Sequence, residues 1–318
     1  MRDLKYDIAR SFAMIWIVGI YHMSEYVSLP LHTQQWARIV TWSCLGVFTF
    51  ISAYFLSGKN TFFNFSDIFL FYKKRLLRFY PLFFVAAITM LLIDFNDWDQ
   101  TWRGLLGVSS YYAPQINTLW YISMLIGFYL ITPPLVLCGK LQYKLLLYTI
   151  IILGICICKF IFRTGVDNRV FYYFTIYVLG IVFARHVSIS GQMKLYASKC
   201  FLGGGTALFA LLLGVSVWAA NYFIMLAGGI IGMVCLLIWS SRLARIPYLT
   251  KMIRFLSYGS MAAYLFHRQI YYWGLALWDP SDIGVKIGYL TLILLPIIFI
   301  VAYGIQKGYD KVITDCRQ

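Results

Sequence analysis

Several side chains that can bind or move protons lie on one predicted helix near the start of the chain. Asp7, Arg10, His22 and Glu25 all belong to the segment Tyr6–Val27, and Glu25 is the only glutamate of the chain. At about 100° per residue these groups fall within an arc of roughly 120°. An imidazole can take a proton from a hydroxyl group, and a neighbouring carboxylate can orient the ring. We therefore predict that His22 is catalytic and that Glu25, three residues later, is its carboxylate partner.

The opposite side of this helix is apolar. It is formed by Phe12, Ala13, Trp16, Ile20 and Met23. Such a helix turns one side to lipid and the other to protein, and ionisable groups at membrane depth indicate a functional site by default. The competing interpretation is that His22 and Glu25 pair only to fix helix packing.

A second polar face is predicted near the carboxyl end of the chain. It comprises Ser257, Ser260, Tyr264, His267 and Tyr271 within about 80° on a helical wheel, with Arg268 at the margin. Each of the two histidines lies roughly 20 Å beyond the start of its helix. Because both helices are predicted to run outward, we expect the imidazoles to lie at similar depth in one buried polar site, with His267 as a second catalytic residue.

Basic residues cluster in Phe71–Pro81, FYKKRLLRFYP, at the predicted entry of the third membrane span. Arg75 and Arg78 share a helix face, and the free amides of a helix start would add positive potential, so phosphate groups could dock here. Pro81 is expected to start or kink the span. A positive anchor to anionic lipid explains this stretch equally well.

Composition indicates an integral membrane protein. Of 318 residues, 61% are hydrophobic and only 12% are charged, which is too few to cover a soluble domain. A spanning helix needs about 20 apolar residues, and the chain offers about ten such segments. They are predicted at 7–27, 38–57, 78–95, 118–138, 145–162, 169–187, 200–219, 221–240, 254–277 and 285–306. We predict one all-α membrane bundle over residues 1–318.

The distribution of basic residues predicts the orientation of the bundle. If the amino terminus is cytoplasmic, most Lys and Arg residues fall on the cytoplasmic side. The outer side then keeps Arg38, Arg103, Arg163, Arg169 and Lys286. This bias assigns both termini to the cytoplasm. The net charge of +15 is mostly this topological signal, and no nucleic-acid partner is required.

Ser52, Trp120 and Tyr264 are the candidates for contact with a substrate. Helix packing is the competing interpretation for Ser52, and the aromatic belt of a membrane interface is that for Trp120. The seven cysteines show no metal spacing, and we expect no metal site. Nucleotide-binding glycine loops, zinc-helix motifs and serine nucleophile elbows are absent from the sequence.

Five stretches together resemble the acyltransferase 3 family of membrane acyltransferases, which includes O-antigen and exopolysaccharide O-acetyltransferases. In chain order they are YDIARSFAMIWIVGIYH, GVFTFISAYFLSGK, KKRLLRFYP, LWYISMLIGFYL and GSMAAYLFHRQIY. The first begins at residue 6 and the last ends at residue 271, so the resemblance covers most of the chain.

The resemblance implies transfer of an acyl group, commonly acetyl from cytoplasmic acyl-CoA, to a sugar hydroxyl of a surface glycan or its lipid-linked precursor. It implies that His22 takes part in proton or acyl transfer, and that Arg10, Arg75 and Arg78 hold the donor phosphates. The expected partners are acyl-CoA, the sugar acceptor and membrane lipid, with no tightly bound cofactor. The expected location is the bacterial inner membrane.

Two departures from the family pattern bear on the site. The family usually has ten residues between the arginine and the histidine of its first motif, whereas Arg10 and His22 have eleven between them. The extra residue rotates one against the other by about 100° unless a local π-bulge absorbs it. The second departure is Ser52-Ala53, where a serine-glycine pair is common, so close helix packing there is in question.

Two other functions fit the same residues. A transporter or flippase for a lipid-linked saccharide or small anion would use the polar helix faces as a path, although no clear inverted repeat favours a carrier. A membrane scaffold for glycan-assembly enzymes would tolerate charge-neutral changes at His22 and His267.

Overall fold

The computed structural model describes residues 3–29, 31–59, 62, 64–186, 199–219, 221–246 and 250–315. Within these residues the chain is all-helical and contains no strand, as predicted. The α-helices are α1 (Leu4–Trp16), α2 (Gln35–Lys59), α3 (Phe65–Leu92), α4 (Trp98–Leu105), α5 (Trp120–Leu137), α6 (Leu141–Phe160), α7 (Asn168–His186), α8 (Lys199–Trp218), α9 (Tyr222–Leu243), α10 (Thr250–Leu277), α11 (Ile283–Gly288) and α12 (Leu295–Asp315).

Six helical segments of the described residues are long and apolar enough to cross a membrane. They are Gln35–Gly58, Phe65–Leu92, Trp120–Leu137, Leu141–Phe160, Tyr222–Leu243 and Ile283–Thr314. Helix α1 is not among them, because its regular turns end at Trp16. Helix α10 carries His267 and Arg268 and several other polar side chains. The count of about ten spans and the cytoplasmic termini therefore stay predictions.

The helices group into two compact units, which are described separately. The first unit contains residues 1–48 and 189–318, and the second contains residues 49–188. In the first unit, α1 packs on α9 and α10, and α10 packs along α12. In the second unit, α5 packs on α3 and α7, and α6 packs on α7. A single domain over the whole chain stays a prediction.

Helix α3 begins well before the basic cluster that was predicted to mark its start. The side chain of Asn64 accepts a hydrogen bond from the Asp67 amide, and the Asp67 carboxylate accepts one from the Asn64 amide. This reciprocal cap starts the helix at Phe65. Arg75 and Arg78 therefore lie in the helix interior, where amides are already bonded, and the predicted free amides beside them are wrong. Pro81 also lies inside the helix.

Candidate active site

The two polar faces predicted from the sequence meet in the first unit. Nδ1 of His22 lies 2.8 Å from Nε2 of His267, and the planes of the two rings differ by 3°. The His267 side chain is fully buried, whereas His22 is half-buried. The prediction that the two polar faces meet and bring the two histidines together is confirmed. We call His22 and His267 the histidine pair.

Contacts nearer the start of α1 show that α1 and α10 run side by side in the same direction. Oγ of Ser257 donates to Oδ1 of the buried Asp7 at 2.7 Å. Oγ of Ser11 donates to the carbonyl oxygen of Ile253 at 3.2 Å. The early turns of each helix therefore contact each other, and their later turns carry the histidine pair.

The backbone of α10 determines which nitrogen of each ring carries a hydrogen. Nδ1 of His267 lies 2.8 Å from the carbonyl oxygen of Tyr264 and 3.1 Å from that of Ala263. A carbonyl oxygen can only accept, so this Nδ1 is the donor, and Nε2 of the uncharged ring is an acceptor. Nδ1 of His22 must then donate to it. This assignment from the hydrogen-bond network leaves the lone pair of His22 Nε2 free to act as a base or nucleophile.

The partner of Glu25 is Arg268 and not His22, contrary to the prediction. Its Oε1 accepts a hydrogen bond from Nη2 of Arg268 at 2.8 Å, and the Arg268 side chain is only 4% exposed. The Arg268 guanidinium also lies 5.6 Å from the ring centroid of Tyr26. Because a buried cation requires a partner, the carboxylate serves the arginine, and the ring partner of His22 is His267. The interpretation of Glu25 as the orienting carboxylate is thus corrected.

The backbone just before His22 explains how the site is aligned. Residues Ile17–His22 form a π-helix, and residues Met23–Val27 form a tight 3₁₀ turn. With regular α-helical steps, Arg10 and His22 would differ by about 120° around the helix axis. A π-bulge accommodates one extra residue without additional rotation and reduces this difference to about 20°. The π-bulge considered for the extra residue between Arg10 and His22 is therefore present.

The predicted lipid-facing side of the first helix is only partly correct. Phe12 and Ile20 are exposed, at 44% and 39%, in agreement with the prediction. Ala13 and Met23 are buried, and the indole nitrogen of Trp16 donates to Thr41. Three of the five side chains predicted to face lipid, Ala13, Trp16 and Met23, therefore pack against protein.

Tyr264, predicted to contact substrate, lies beside the histidine pair. Its ring centroid is 6.2 Å from that of His267, and its side chain is 4% exposed. Its carbonyl oxygen is the acceptor that orients His267. The described contacts of Tyr264 thus support the histidine, and its role toward a substrate stays a prediction.

Ser52 lies in the second unit. Its hydroxyl is 3.1 Å from the Tyr129 hydroxyl, a contact that fits helix packing as well as the lining of a site. Close packing at the next residue is supplied by a glycine on the neighbouring helix. A Cβ atom on Gly180 would lie 2.8 Å from Cβ of Ala53 and 2.7 Å from the carbonyl oxygen of Phe50. Alanine at position 53 is therefore compatible with a close approach of α2 and α7.

Trp120, the third predicted substrate contact, is covered on one face by an arginine. The Arg169 guanidinium lies 3.6 Å from the ring centroid and pairs with Asp167 at 2.5 Å. Nη2 of Arg169 also donates to Gln115. Burial raises the pKa of the Asp167 carboxyl, but its bonds with Arg169 outweigh burial and hold the pKa below its usual range. The covered face of Trp120 belongs to a structural ion-pair network.

Arg75 and Arg78, the predicted phosphate ligands, also lie in the second unit. Arg78 is exposed, and Arg75 is half-buried with its guanidinium 5.8 Å from the ring centroid of Phe71. Nε of Arg75 is buried without a hydrogen-bond partner in the described part of the chain. The side chain therefore retains a donor that an anionic ligand could use.

Sequence reasoning placed Arg268 only at the margin of its helical face and gave Tyr26 no role. One signal could have indicated the Glu25–Arg268 pair. The chain's only glutamate and this arginine each follow a histidine of the pair within three residues. Two helices that align these histidines also bring the two charges together.

A family model described as an acyltransferase domain matches residues 3–305 of the chain. No curated protein and no solved structure matches it.

Proposed function

The chain belongs to the acyltransferase 3 family, and from this premise we propose that it is an O-acyltransferase of the bacterial inner membrane. It moves an acetyl group from cytoplasmic acyl-CoA to a sugar hydroxyl of a cell-surface glycan or of its lipid-linked precursor. The observation that supports catalysis most directly is the contact between His22 Nδ1 and His267 Nε2, at 2.8 Å. Among the described residues, the other ring nitrogen of His22, Nε2, has no hydrogen-bond partner.

In direct transfer, His22 Nε2 takes the proton of the acceptor hydroxyl while the hydroxyl oxygen attacks the thioester carbonyl. The carbon–sulfur bond breaks, the acyl group remains on the sugar oxygen, and the CoA thiolate leaves. The imidazolium of His22 then returns the proton to the thiolate. His267 stabilises the positive charge that forms on His22, because its Nε2 accepts the hydrogen bond from His22 Nδ1 throughout.

A two-step route uses the same nitrogen. Nε2 of His22 attacks the thioester carbonyl, the CoA thiolate leaves, and the acyl group is carried on the ring. The sugar oxygen then attacks the acyl carbon and the His22–acyl bond breaks; the hydroxyl proton passes to the Nε2 that this step frees and from there to the CoA thiolate. Both routes require the tautomer that His267 and the Tyr264 carbonyl enforce, so both depend on the histidine pair.

Recognition of the donor is assigned to arginines. We propose that Arg75 and Arg78, together with Arg10, bind the phosphates of acyl-CoA through charge-assisted hydrogen bonds. The unused Nε of Arg75 and the exposed guanidinium of Arg78 support this assignment. Arg75→Ala and Arg78→Ala should raise the KM for acetyl-CoA with little change in kcat. Lys140→Ala, which removes an exposed charge elsewhere in the same unit, should leave the KM unchanged.

The experiment that tests the function measures release of free thiol from acetyl-CoA by detergent-purified protein, with and without lipid-linked glycan from the host. Wild type should release thiol, and release should rise with acceptor. His22→Ala should lower turnover by about 10²–10⁴-fold. His32→Ala, an exposed histidine of the same unit, is the matched control and should match wild type.

Two results would contradict the proposal. Equal turnover by wild type and by His22→Ala would remove the histidine from the chemistry. No thiol release by folded wild type with several acyl-CoAs would favour a transporter, in which the polar faces of α1 and α10 conduct a solute.

A further inference from the structure

A tyrosine of α10 is hydrogen-bonded to the backbone of the π-helix that ends at His22. The Tyr271 hydroxyl donates to the carbonyl oxygen of Val18, the second residue of the π-helix, at 3.2 Å. The Tyr271 side chain is fully buried. A phenol in the membrane interior requires a hydrogen-bond partner, and this carbonyl supplies it.

The Val18 carbonyl lies in a segment where the helix geometry changes. The helix passes at Met23 from wide π turns to a tight turn, in which the Met23 amide donates to the carbonyl oxygen of Ile20. At such a change of pitch the backbone bonds no longer pair one to one, and a carbonyl with two lone pairs can accept from outside. A donor from another helix therefore stabilises the wide turn relative to a regular one.

The π-helix is also held by a neighbour other than α10. A Cβ atom on Gly19 would lie 2.7 Å from Cδ2 of Leu295, so this turn packs against α12 without room for a side chain. The Tyr271 ring itself is confined, with centroid distances of 5.1 Å to Tyr26 and 6.4 Å to His267. The hydroxyl that bonds Val18 and the ring that contacts His267 belong to one side chain.

We infer that Tyr271 is a positioning residue: its hydroxyl holds the π-helix in the register that brings His22 Nδ1 onto His267. The inference rests on the proposed function for its effect on turnover. Tyr271 itself touches no reacting atom in this scheme. Its effect passes through the Val18 carbonyl to the orientation of the His22 ring, four residues later.

The test compares two tyrosines of the first unit that make the same kind of bond. Tyr289 donates from its hydroxyl to the carbonyl oxygen of Gly274 at 2.9 Å, and it does not contact the histidine pair in any described interaction. Tyr271→Phe should lower kcat for acetyl-CoA about five- to twentyfold with an unchanged KM, as expected for loss of one hydrogen bond that orients the base. Tyr289→Phe should stay within about twofold of wild type and lose similar thermal stability.

Deletion of Ile20 makes the test specific to the π-helix. Ile20 is chosen because its side chain is exposed; its removal would leave ten residues between Arg10 and the histidine and allow a regular α-helix with the same alignment. In the deletion background the hydroxyl has no wide turn to hold, so Tyr271→Phe should have no further effect on kcat. An equal loss in both backgrounds would overturn the inference.

A readout without turnover separates this inference from the proposed function. In nitrogen-15 histidine NMR of the detergent-solubilised protein, the Nδ1 proton of His22 should show the downfield shift of an imidazole–imidazole hydrogen bond. Tyr271→Phe should weaken or remove that resonance, and Tyr289→Phe should keep it. An unchanged resonance together with unchanged kcat in Tyr271→Phe would refute the positioning role. Absence of turnover in wild type, with the resonance present and sensitive to Tyr271, would refute only the acyltransferase proposal.

Discussion

The interiors of the two units use different polar chemistry. In the second unit, pairs of hydroxyls are hydrogen-bonded to each other: Thr49 with Tyr121 at 3.0 Å and Thr132 with Tyr177 at 2.5 Å are buried, and Ser52 with Tyr129 at 3.1 Å is partly buried. Between α1 and α10 of the first unit, imidazole meets imidazole and carboxylate meets guanidinium.

This difference separates packing from chemistry. Two neutral hydroxyls satisfy each other's hydrogen-bonding needs in a membrane at a small cost in free energy, and such pairs hold helices together. Ionisable groups are costly at the same depth and are retained where they act. The interface of α1 and α10 is therefore where function is expected, and the interior of the second unit is expected to be mainly structural.

The strongest way to break this comparison is to remove the acceptor nitrogen of His267. His267→Phe keeps a ring of similar size but leaves His22 Nδ1 without a partner, so both tautomers of His22 become populated. By analogy with other partners that fix a histidine tautomer, turnover should fall about 10–100-fold. His267→Gln, whose side-chain oxygen can accept from Nδ1, should recover part of the loss. Thiol release from acetyl-CoA measures both variants.

A His267→Phe variant with wild-type turnover would show that the ring contact is only packing. The interior of the first unit would then be no different in kind from that of the second.

The Glu25–Arg268 pair should matter first for stability. Glu25→Gln removes the charge that neutralises a guanidinium only 4% exposed. Because Glu25 itself is partly open to its surroundings, we expect a loss of about 1–3 kcal/mol and not the full cost of an unpaired buried charge. Thermal unfolding in detergent measures the loss. Arg268→Met with Glu25→Gln, which removes both charges, should recover much of it, and a further loss in this double variant would contradict the pairing argument.

A smaller effect is expected for a hydroxyl pair of the second unit. Thr132→Val keeps the shape of the side chain but leaves the fully buried Tyr177 hydroxyl without this partner. The free energy of unfolding should fall by about 0.5–2 kcal/mol, with unchanged kcat. Tyr177→Phe should lower the free energy of unfolding by the same amount, and the double variant should lower it no further than either single variant. This result would sharpen the comparison. A large loss of kcat with unchanged stability would instead give this unit a direct role in the chemistry.

The smallest effect concerns pH and the Asp167–Arg169 pair, in the loop before α7. Because Arg169 holds the folded pKa of Asp167 below its ordinary value of 3.8, the charged carboxylate stabilises the folded state. This stabilisation is present above about pH 4 and is lost as the pH falls through the folded pKa. Unfolding midpoints measured from pH 6 to pH 3 should decline less in Asp167→Asn than in wild type. Equal slopes would show that the pair contributes nothing in solution.

The meeting of the two histidines was predictable because the position of a residue along a helix follows from its distance in sequence from the helix start. The spacing of the polar residues in Tyr6–Val27 and in the stretch around His267 defines one polar face on each helix. A constant rise per residue then places the two histidines at similar distances from the starts of their helices. The partner of Glu25 was not predictable. Wheel geometry assumes 100° per residue, and this assumption fails where α1 becomes a π-helix at Ile17 and a 3₁₀ turn at Met23. The eleven-residue spacing was the one sign of this change.

The limits of the helices were harder to predict for a different reason. The apolar residues before Lys73 were not assigned to the third span, because hydropathy weighs charges and ignores caps. The Asn64 and Asp67 cap, which starts α3 at Phe65, was visible as an Asn followed three residues later by an acid. The predicted span 7–27 differs from α1 for another reason, because the regular α-helix ends at Trp16 and continues as a π-helix and a 3₁₀ turn.

The close approach of α7 to α2 leaves space for a single methyl group. Ala53 on α2 carries that methyl group, and Gly180 on α7 has no side chain that would clash with it. A glycine at position 53 would remove only one of the close contacts, because a Cβ atom on Gly180 would still lie 2.7 Å from the carbonyl oxygen of Phe50. Position 180 is therefore limited to glycine whether alanine or glycine stands at position 53, and the main chain of α2, more than the Ala53 methyl group, sets how closely α7 approaches.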